Sequence, residues 1–344
     1  MLNFKKIFFT AKLRTKPRYQ WLIAVCTTVH ILILNHCSAL SGDHLNLLEK
    51  HQTLGINADL IQANVTSELL TCKEISMIQQ GEVIGRGTTK EVFGGSYMGK
   101  EVAIKMVTSK VKDVKMCLNR RDYRIKEDCY EYANYKLMKE IAYGLQLNSD
   151  RLVKLLGYCV RGDTVSGSVR DQGVIAVVEV GKKLSKYRLT QIMWPQRLQV
   201  AKDLADLLVV LEHSPVGSVN IGDFKLNQFI LIDGRLKVGD LDDMSTQEQS
   251  CLRSRDCSIL GEDAGIRCVN STCIGINAKA NLLLATVELL EPLLQHPPEE
   301  LGGRIDVLLR KLKNYEMNAL DLQQSLTDLT EAYLLQKNKN KLLS

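Results

Sequence analysis

A chain of 344 residues with a 45% hydrophobic share can bury a large two-lobed core, which excludes a mainly disordered protein. Its formal charge of +6 is concentrated at the start, where Lys5, Lys6, Lys12, Arg14, Lys16 and Arg18 precede any acidic residue. Residues 20–39 carry no charge, so the chain beyond residue 39 is close to neutral and lacks the basic face that a nucleic-acid partner requires.

The basic start runs into Trp21-Leu22-Ile23-Ala24-Val25 and Ile31-Leu32-Ile33-Leu34. From Trp21 to Leu34 is 14 residues, short for a bilayer span and right for the apolar region of a signal peptide. Cys37 and Ala39 are small enough for a signal peptidase, so residues 1–39 read as a signal peptide cleaved after Ala39. The alternative is an uncleaved anchor running to about Leu40, in which case the membrane is also a partner; His30 weakens it as a permanent span. Both readings send the rest of the chain into the secretory lumen, to the Golgi or outside the cell. Asn64-Val65-Thr66 and Asn270-Ser271-Thr272 are glycosylation acceptors that agree with this route. Eight cysteines remain after Ala39: Cys72, Cys117, Cys129, Cys159, Cys251, Cys257, Cys268 and Cys273. An even number in a lumenal chain reads as four disulfides, of unspecified pairing. A zinc site for the last four is the rival, but their spacing lacks the short paired knuckles of zinc ligands.

Residues 40–75 are polar and weakly periodic and read as a stem. From Ile78, the alternation of Val83, Val92, Phe93, Val102 and Ile104 between glycines predicts three strands of an antiparallel sheet. Cys129 to Leu147 is predicted helical, with Tyr132, Tyr135, Leu137, Met138, Ile141 and Leu145 as its apolar stripe. Leu152–Cys159 and Val174–Val180 are expected strands, joined by a polar loop over Arg161–Gln172. After Gly181 the pattern turns helical. Pro195 suits a first helical turn, and Leu198, Ala201, Leu204, Leu208 and Leu211 follow on one face. Phe229–Ile232 and Leu236–Val238 flank Asp233-Gly234, a strong hairpin signal. A loop-rich, cysteine-rich segment over 244–280 precedes helical patterns near 281–294, 304–313 and 317–335. The domain reading is a sheet lobe over 76–180, a helical lobe over 181–336 and a basic tail over 337–344, an α+β fold in two lobes.

Chemistry-bearing residues recur along this plan at telling distances. Gly85-Arg86-Gly87 lies 18 residues before Lys105 of Val102-Ala103-Ile104-Lys105, and Asp240 follows Asp223 by 17 residues. The order reads as the ATP site of a protein kinase: a glycine hairpin over phosphates, a strand lysine on the α- and β-phosphates, and a late aspartate on a metal ion. Gly85, Gly87, Lys90, Val92, Ala103 and Lys105 are the expected nucleotide-binding residues, with Glu140 holding Lys105 and Glu131 as the other candidate. Asp223 is expected to orient the acceptor hydroxyl and take its proton, and Lys225 to neutralise the γ-phosphate. Asp240 is the principal ligand expected for Mg²⁺ or Mn²⁺, joined by Gln228, whose amide oxygen sits where most kinases place an asparagine.

Longer runs carry a narrower likeness. Gly222 through Asp243, Ser214-Pro215-Val216-Gly217-Ser218-Val219, Gly85-Arg86-Gly87-Thr88-Thr89-Lys90, the four cysteines 251–273 and Gly275-Ile276-Asn277-Ala278-Lys279 resemble the secreted, divergent vertebrate lonesome kinase family of protein kinases. The resemblance covers roughly residues 80–290. It implies a kinase fold, ATP with a divalent metal, and phosphorylation of tyrosines on secreted or lumenal proteins. The chain departs from ordinary kinases at Lys90, in place of the third loop glycine, at Ile221-Gly222, in place of His-Arg, and at Asp242, in place of the glycine of Asp-Phe-Gly. Losing that arginine removes the usual partner of an activation-loop phosphate, and the cysteine-rich segment is expected to order the loop covalently. Two other readings stay open: a catalytically inactive scaffold in the secretory pathway, and transfer of phosphate to a sugar.

Overall fold

The computed structural model describes residues 69–120, 128–147, 149–160 and 173–343. The segment read as a leader, the Asn64 sequon and the stretch 161–172 read as a polar loop lie outside the described residues. Helix α1 (Cys72–Ser76) opens on a capping box in which Glu74 accepts from the Thr71 N–H at 2.9 Å. Five residues cannot hold a helix in water by themselves. This helix is held by the Cys72–Cys159 disulfide and by Leu70, whose N–H donates to Leu156 O at 2.9 Å while its carbonyl accepts from Tyr158 N–H at 3.2 Å. The last residues read as stem are therefore part of the sheet edge.

Strands β1 (Gln79–Arg86), β2 (Glu91–Tyr97) and β3 (Lys100–Met106) form an antiparallel meander. A short helix α2 (Lys112–Leu118), which no sequence pattern announced, comes next and is bridged through Cys117 to Cys129 at the start of helix α3 (Asp128–Leu147). Strands β4 (Leu155–Val160) and β5 (Val174–Val178) complete a five-stranded sheet of order β1-β2-β3-β5-β4. Every residue of β5 is buried, and Leu137 and Ile141 of α3 pack on its Val174 and Ala176. Strand β4 starts at Leu155, later than expected, because Leu152 and Val153 pair with Val238 instead.

The helical lobe begins with strand β6 (Lys182–Lys183) and helices α4 (Lys186–Gln191) and α5 (Trp194–Glu212). Pro195 sits in the first turn of α5, where its missing N–H costs nothing. Strands β7 (Asn220–Ile221), β8 (Phe229–Ile232), β9 (Arg235–Val238) and β10 (Met244–Ser245) come after it. Asp233 and Gly234 take φ of 51° and 76°, the paired left-handed conformation that a two-residue hairpin requires. Segment 244–280 is built from the hairpins β11 (Ser258–Ile259) with β12 (Glu262–Asp263) and β13 (Cys268–Val269) with β14 (Thr272–Cys273). The bridges Cys251–Cys268 and Cys257–Cys273 hold them together. All eight cysteines after Ala39 are thus paired in disulfides, and none is left to hold zinc.

Helix α6 (Ile276–Ala285) continues through a π-turn (Thr286–Leu290) into α7 (Glu291–Leu293). Helices α8 (Glu299–Lys313) and α9 (Ala319–Leu343) end the chain, so most of the stretch read as a basic tail belongs to α9. The core of this lobe gathers Leu204, Leu211, Phe229, Leu289 and Leu326, each essentially inaccessible to water. Among the described residues no helix is long and apolar enough to cross a membrane. An antiparallel-sheet lobe followed by a helical lobe is the α+β arrangement expected from the sequence.

Candidate active site

Between sheet and helices lies a cleft of about 260 Å³. Seven residues singled out in the sequence line it: Gly85, Lys90, Val92, Ala103, Lys105, Gln228 and Asp240. Val92 and Ala103 face it from neighbouring strands, and Glu179-Val180-Gly181, following β5, forms its back edge. Apolar walls beside an open backbone edge suit a planar base, and the lysines at the other end suit phosphates. Gly87 does not line the cleft; its N–H donates to Lys90 O at 2.8 Å and closes the turn between β1 and β2.

Lys105 projects from β3 with its side chain 7% exposed. It is ion-paired to Glu140 on α3 and donates to Gly239 O at 2.5 Å. Glu131, the other candidate partner, stands exposed near the start of the same helix. Lys90 reaches the same place from the loop. It is as deeply buried as Lys105 and lies 2.7 Å from Glu140, 2.7 Å from Asp240 and 2.8 Å from Asp242. Thr89 beside it donates to Asp242 Oδ2 at 2.9 Å. Burial alone would lower the Lys90 ammonium, but Glu140, Asp240 and Asp242 together hold it well above its ordinary value. Burial pushes Asp240 upward as well, yet Lys90 and then Lys105 overcome this and keep it far below the usual carboxylate range. Asp242 goes the other way: burial raises it, and Lys90 only partly offsets the repulsion from Asp240 and Glu140.

Asp223 does not itself line the cleft; it stands beside Gln228, which does, with its side chain 34% exposed. It accepts from Gln228 Nε2 at 2.9 Å and pairs with Lys225 at 2.5 Å. The strand before it explains the missing arginine. A β-carbon on Gly222 would stand 2.6 Å from Asp243 O, so no side chain fits where the chain passes this carbonyl. Strand β7 pairs with β10 and is anchored from below by α6. Asn281 accepts from Ile221 N–H at 2.9 Å and donates to Val219 O at 2.7 Å, and Asn277 donates to Ser218 O at 3.0 Å. Sequence reasoning gave neither asparagine this role; their spacing of four, on the face of a mostly apolar helix, was the available signal. It also missed Asp203, fully buried on α5, which accepts from Arg235 and Leu236 N–H and pairs with Arg151 at 2.7 Å. No local pattern marks that residue.

The oxygens of Glu140, Asp240 and Asp242 lie within 4.8 Å of one another. Three hard oxygen donors converging beside two buried lysines fit Mg²⁺ or Mn²⁺. Gln228 lines the same cleft, with its amide nitrogen donated to Asp223 and its carbonyl oxygen left as the atom that could face a cation.

Human extracellular tyrosine-protein kinase PKDCC is 33% identical to this chain over 235 residues, 67% of the chain and 46% of that protein. Protein O-mannose kinase, from Homo sapiens and Macaca fascicularis, is 28% identical over 157 residues, 44% of the chain and 37% of those proteins. Each match spans less than half of the relative's length. Residues 137–314, just over half of the chain and including Glu140, Asp223, Gln228 and Asp240, match the family described as the protein-kinase domain of FAM69. On that match the chain belongs to the FAM69 protein-kinase-domain family.

Proposed function

We propose that this chain is an ATP-dependent protein kinase of the secretory pathway that transfers the γ-phosphate to tyrosines of secreted or lumenal proteins. The observation that carries the reading is one cleft lined by Lys105, Gln228 and Asp240, with Glu140 paired to Lys105 and the partly exposed Asp223 bonded to Gln228. Lys105, held by Glu140 and Gly239 O, is a fixed positive charge for the α- and β-phosphates. Val92 and Ala103 cover the base. Asp223, oriented by Gln228 and Lys225, accepts the proton of the incoming hydroxyl, and Lys225 offers charge to the moving phosphoryl group. A divalent metal held by Asp240 and Gln228 would neutralise phosphate charge. Four disulfides and an extracellular relative support the lumenal setting.

A sugar acceptor is the second reading, favoured by the likeness to protein O-mannose kinase. Purified protein incubated with labelled ATP and either tyrosine peptides or mannosylated peptides separates the two. Phosphotyrosine is the expected product. Lys105→Met, Asp240→Asn and Asp223→Asn should all fold yet lose about 10²-fold or more in turnover, with nucleotide affinity falling mainly in the first two. Near-normal tyrosine phosphorylation by Asp240→Asn refutes the site assignment. Product on mannose alone replaces the tyrosine reading, and no product on any acceptor leaves the scaffold reading.

A further inference from the structure

We propose that Lys90 is a tethered cation that occupies the metal position among Glu140, Asp240 and Asp242 until nucleotide binds, so that a divalent metal enters with a nucleotide rather than alone, and Lys90 then passes to the phosphates. This deepens the reading of the cleft as a nucleotide–metal site and rests on it. Lys90 Nζ sits among three carboxylates at 2.7, 2.7 and 2.8 Å, which is the coordination environment of a cation. One of the three is Asp240, the carboxylate best placed to take a metal, and the oxygens of all three lie within 4.8 Å of one another.

Charge counting shows why the lysine belongs there. The buried Glu140 and Asp242 and the partly exposed Asp240 face Lys90 and Lys105, so three negative charges meet two positive ones. Without Lys90 the carboxylates would repel one another and form an open chelate for a hard cation. With Lys90 in place, a divalent ion arriving alone meets an ammonium already seated on its ligands. Nucleotide phosphates change that balance by bringing their own negative charge. The lysine can make such a transfer because it hangs from the turn between β1 and β2 on a flexible four-carbon stem. Phosphates lodged under that turn come within reach of the same ammonium. The residue standing in for the third loop glycine thereby gains a role that a glycine cannot supply.

Binding of Mn²⁺ to the purified protein, followed by electron paramagnetic resonance and by thermal unfolding, tests this without any turnover. Wild-type protein should bind Mn²⁺ weakly alone and about tenfold or more tightly with a non-hydrolysable ATP analogue. Lys90→Met should melt lower than wild type in chelator, regain its melting temperature with Mn²⁺ alone, and bind Mn²⁺ alone more tightly than wild type does, so that the coupling between metal and nucleotide shrinks to what the phosphates themselves supply as ligands. Where Lys90→Met fails to fold, Lys90→Met with Asp242→Asn removes one repelling carboxylate and should fold, again with the coupling reduced. Equal affinity of wild type for Mn²⁺ with and without nucleotide overturns the proposal, as does wild-type coupling in either variant. A protein that behaves as expected here but never phosphorylates an acceptor disproves the kinase reading and leaves the role of Lys90 standing.

Discussion

Glu140 is the point at which the two lysines of the cleft share a carboxylate, so Glu140→Gln is a sharp test of how the site is held. The substitution keeps the shape of the side chain and removes only its charge. Glu140, Lys90 and Lys105 are each 6–7% exposed, so water provides almost no screening. At 2.7 Å and an effective dielectric near 20, the Lys90 contact alone corresponds to about 6 kcal/mol of gross attraction. Removing one partner of a buried pair costs about 3–5 kcal/mol net, since the other charge is left behind. Lys105 keeps Gly239 O and Lys90 keeps two aspartates, which favours the lower end, about 3 kcal/mol. For a domain of this size the loss is equivalent to about 6–12 °C in melting temperature. The assay is thermal unfolding by circular dichroism in chelator, with Glu131→Gln as the exposed control on the same helix, expected within about 0.5 kcal/mol of wild type. If the two variants melt together, the pairing of Glu140 with both lysines is wrong.

Asp203→Asn should lower the denaturant midpoint by the equivalent of about 3 kcal/mol, because the nearly buried Arg151 loses its counter-ion; an unchanged midpoint refutes the reading of Asp203 as the anchor of this network. Asn281→Leu keeps bulk but drops both bonds to the strand leading to Asp223, so turnover should fall while ATP affinity changes little; equal loss of both argues against a positioning role. Asn270 stands exposed in the turn between β13 and β14, so protein made in eukaryotic cells should run faster after glycosidase treatment, and Asn270→Gln should lose part of that shift. No shift in either protein counts against a lumenal route.

The sheet lobe was legible because its strands alternate between glycines, and the hairpin of the helical lobe because Asp233-Gly234 marks its turn. Helix α2 was not, since its seven residues are held by the Cys117–Cys129 bridge rather than by a strong local pattern. The end of the stem was misplaced for a related reason: Leu70 and Cys72 are fixed by partners near Cys159, far along the chain. Spacing singled out Lys105, Asp223 and Asp240, and the structure brings Lys105 and Asp240 into one cleft with Asp223 bonded to Gln228 at its side. Spacing could not show that Lys90 folds inward onto Asp240, 150 residues away. That contact arises from the packing of one lobe on the other, which leaves no periodic trace in the sequence.

The two bridges of segment 244–280 interleave in the chain order 251, 257, 268, 273. A peptide bond cut between 257 and 268 is spanned by both, one between 251 and 257 by the first, and one between 268 and 273 by the second. Arg253, Arg255 and Arg267 are all exposed within this stretch, in the sort of loop that proteases favour. Cleavage after any of them would nick the backbone without separating the pieces, and the helices beyond the cut would stay tethered to the strand before it. Proteases acting on the folded lobe would thus wear at this loop by cutting peptide bonds one at a time, and its pieces would stay covalently joined until a reductant opened the bridges as well.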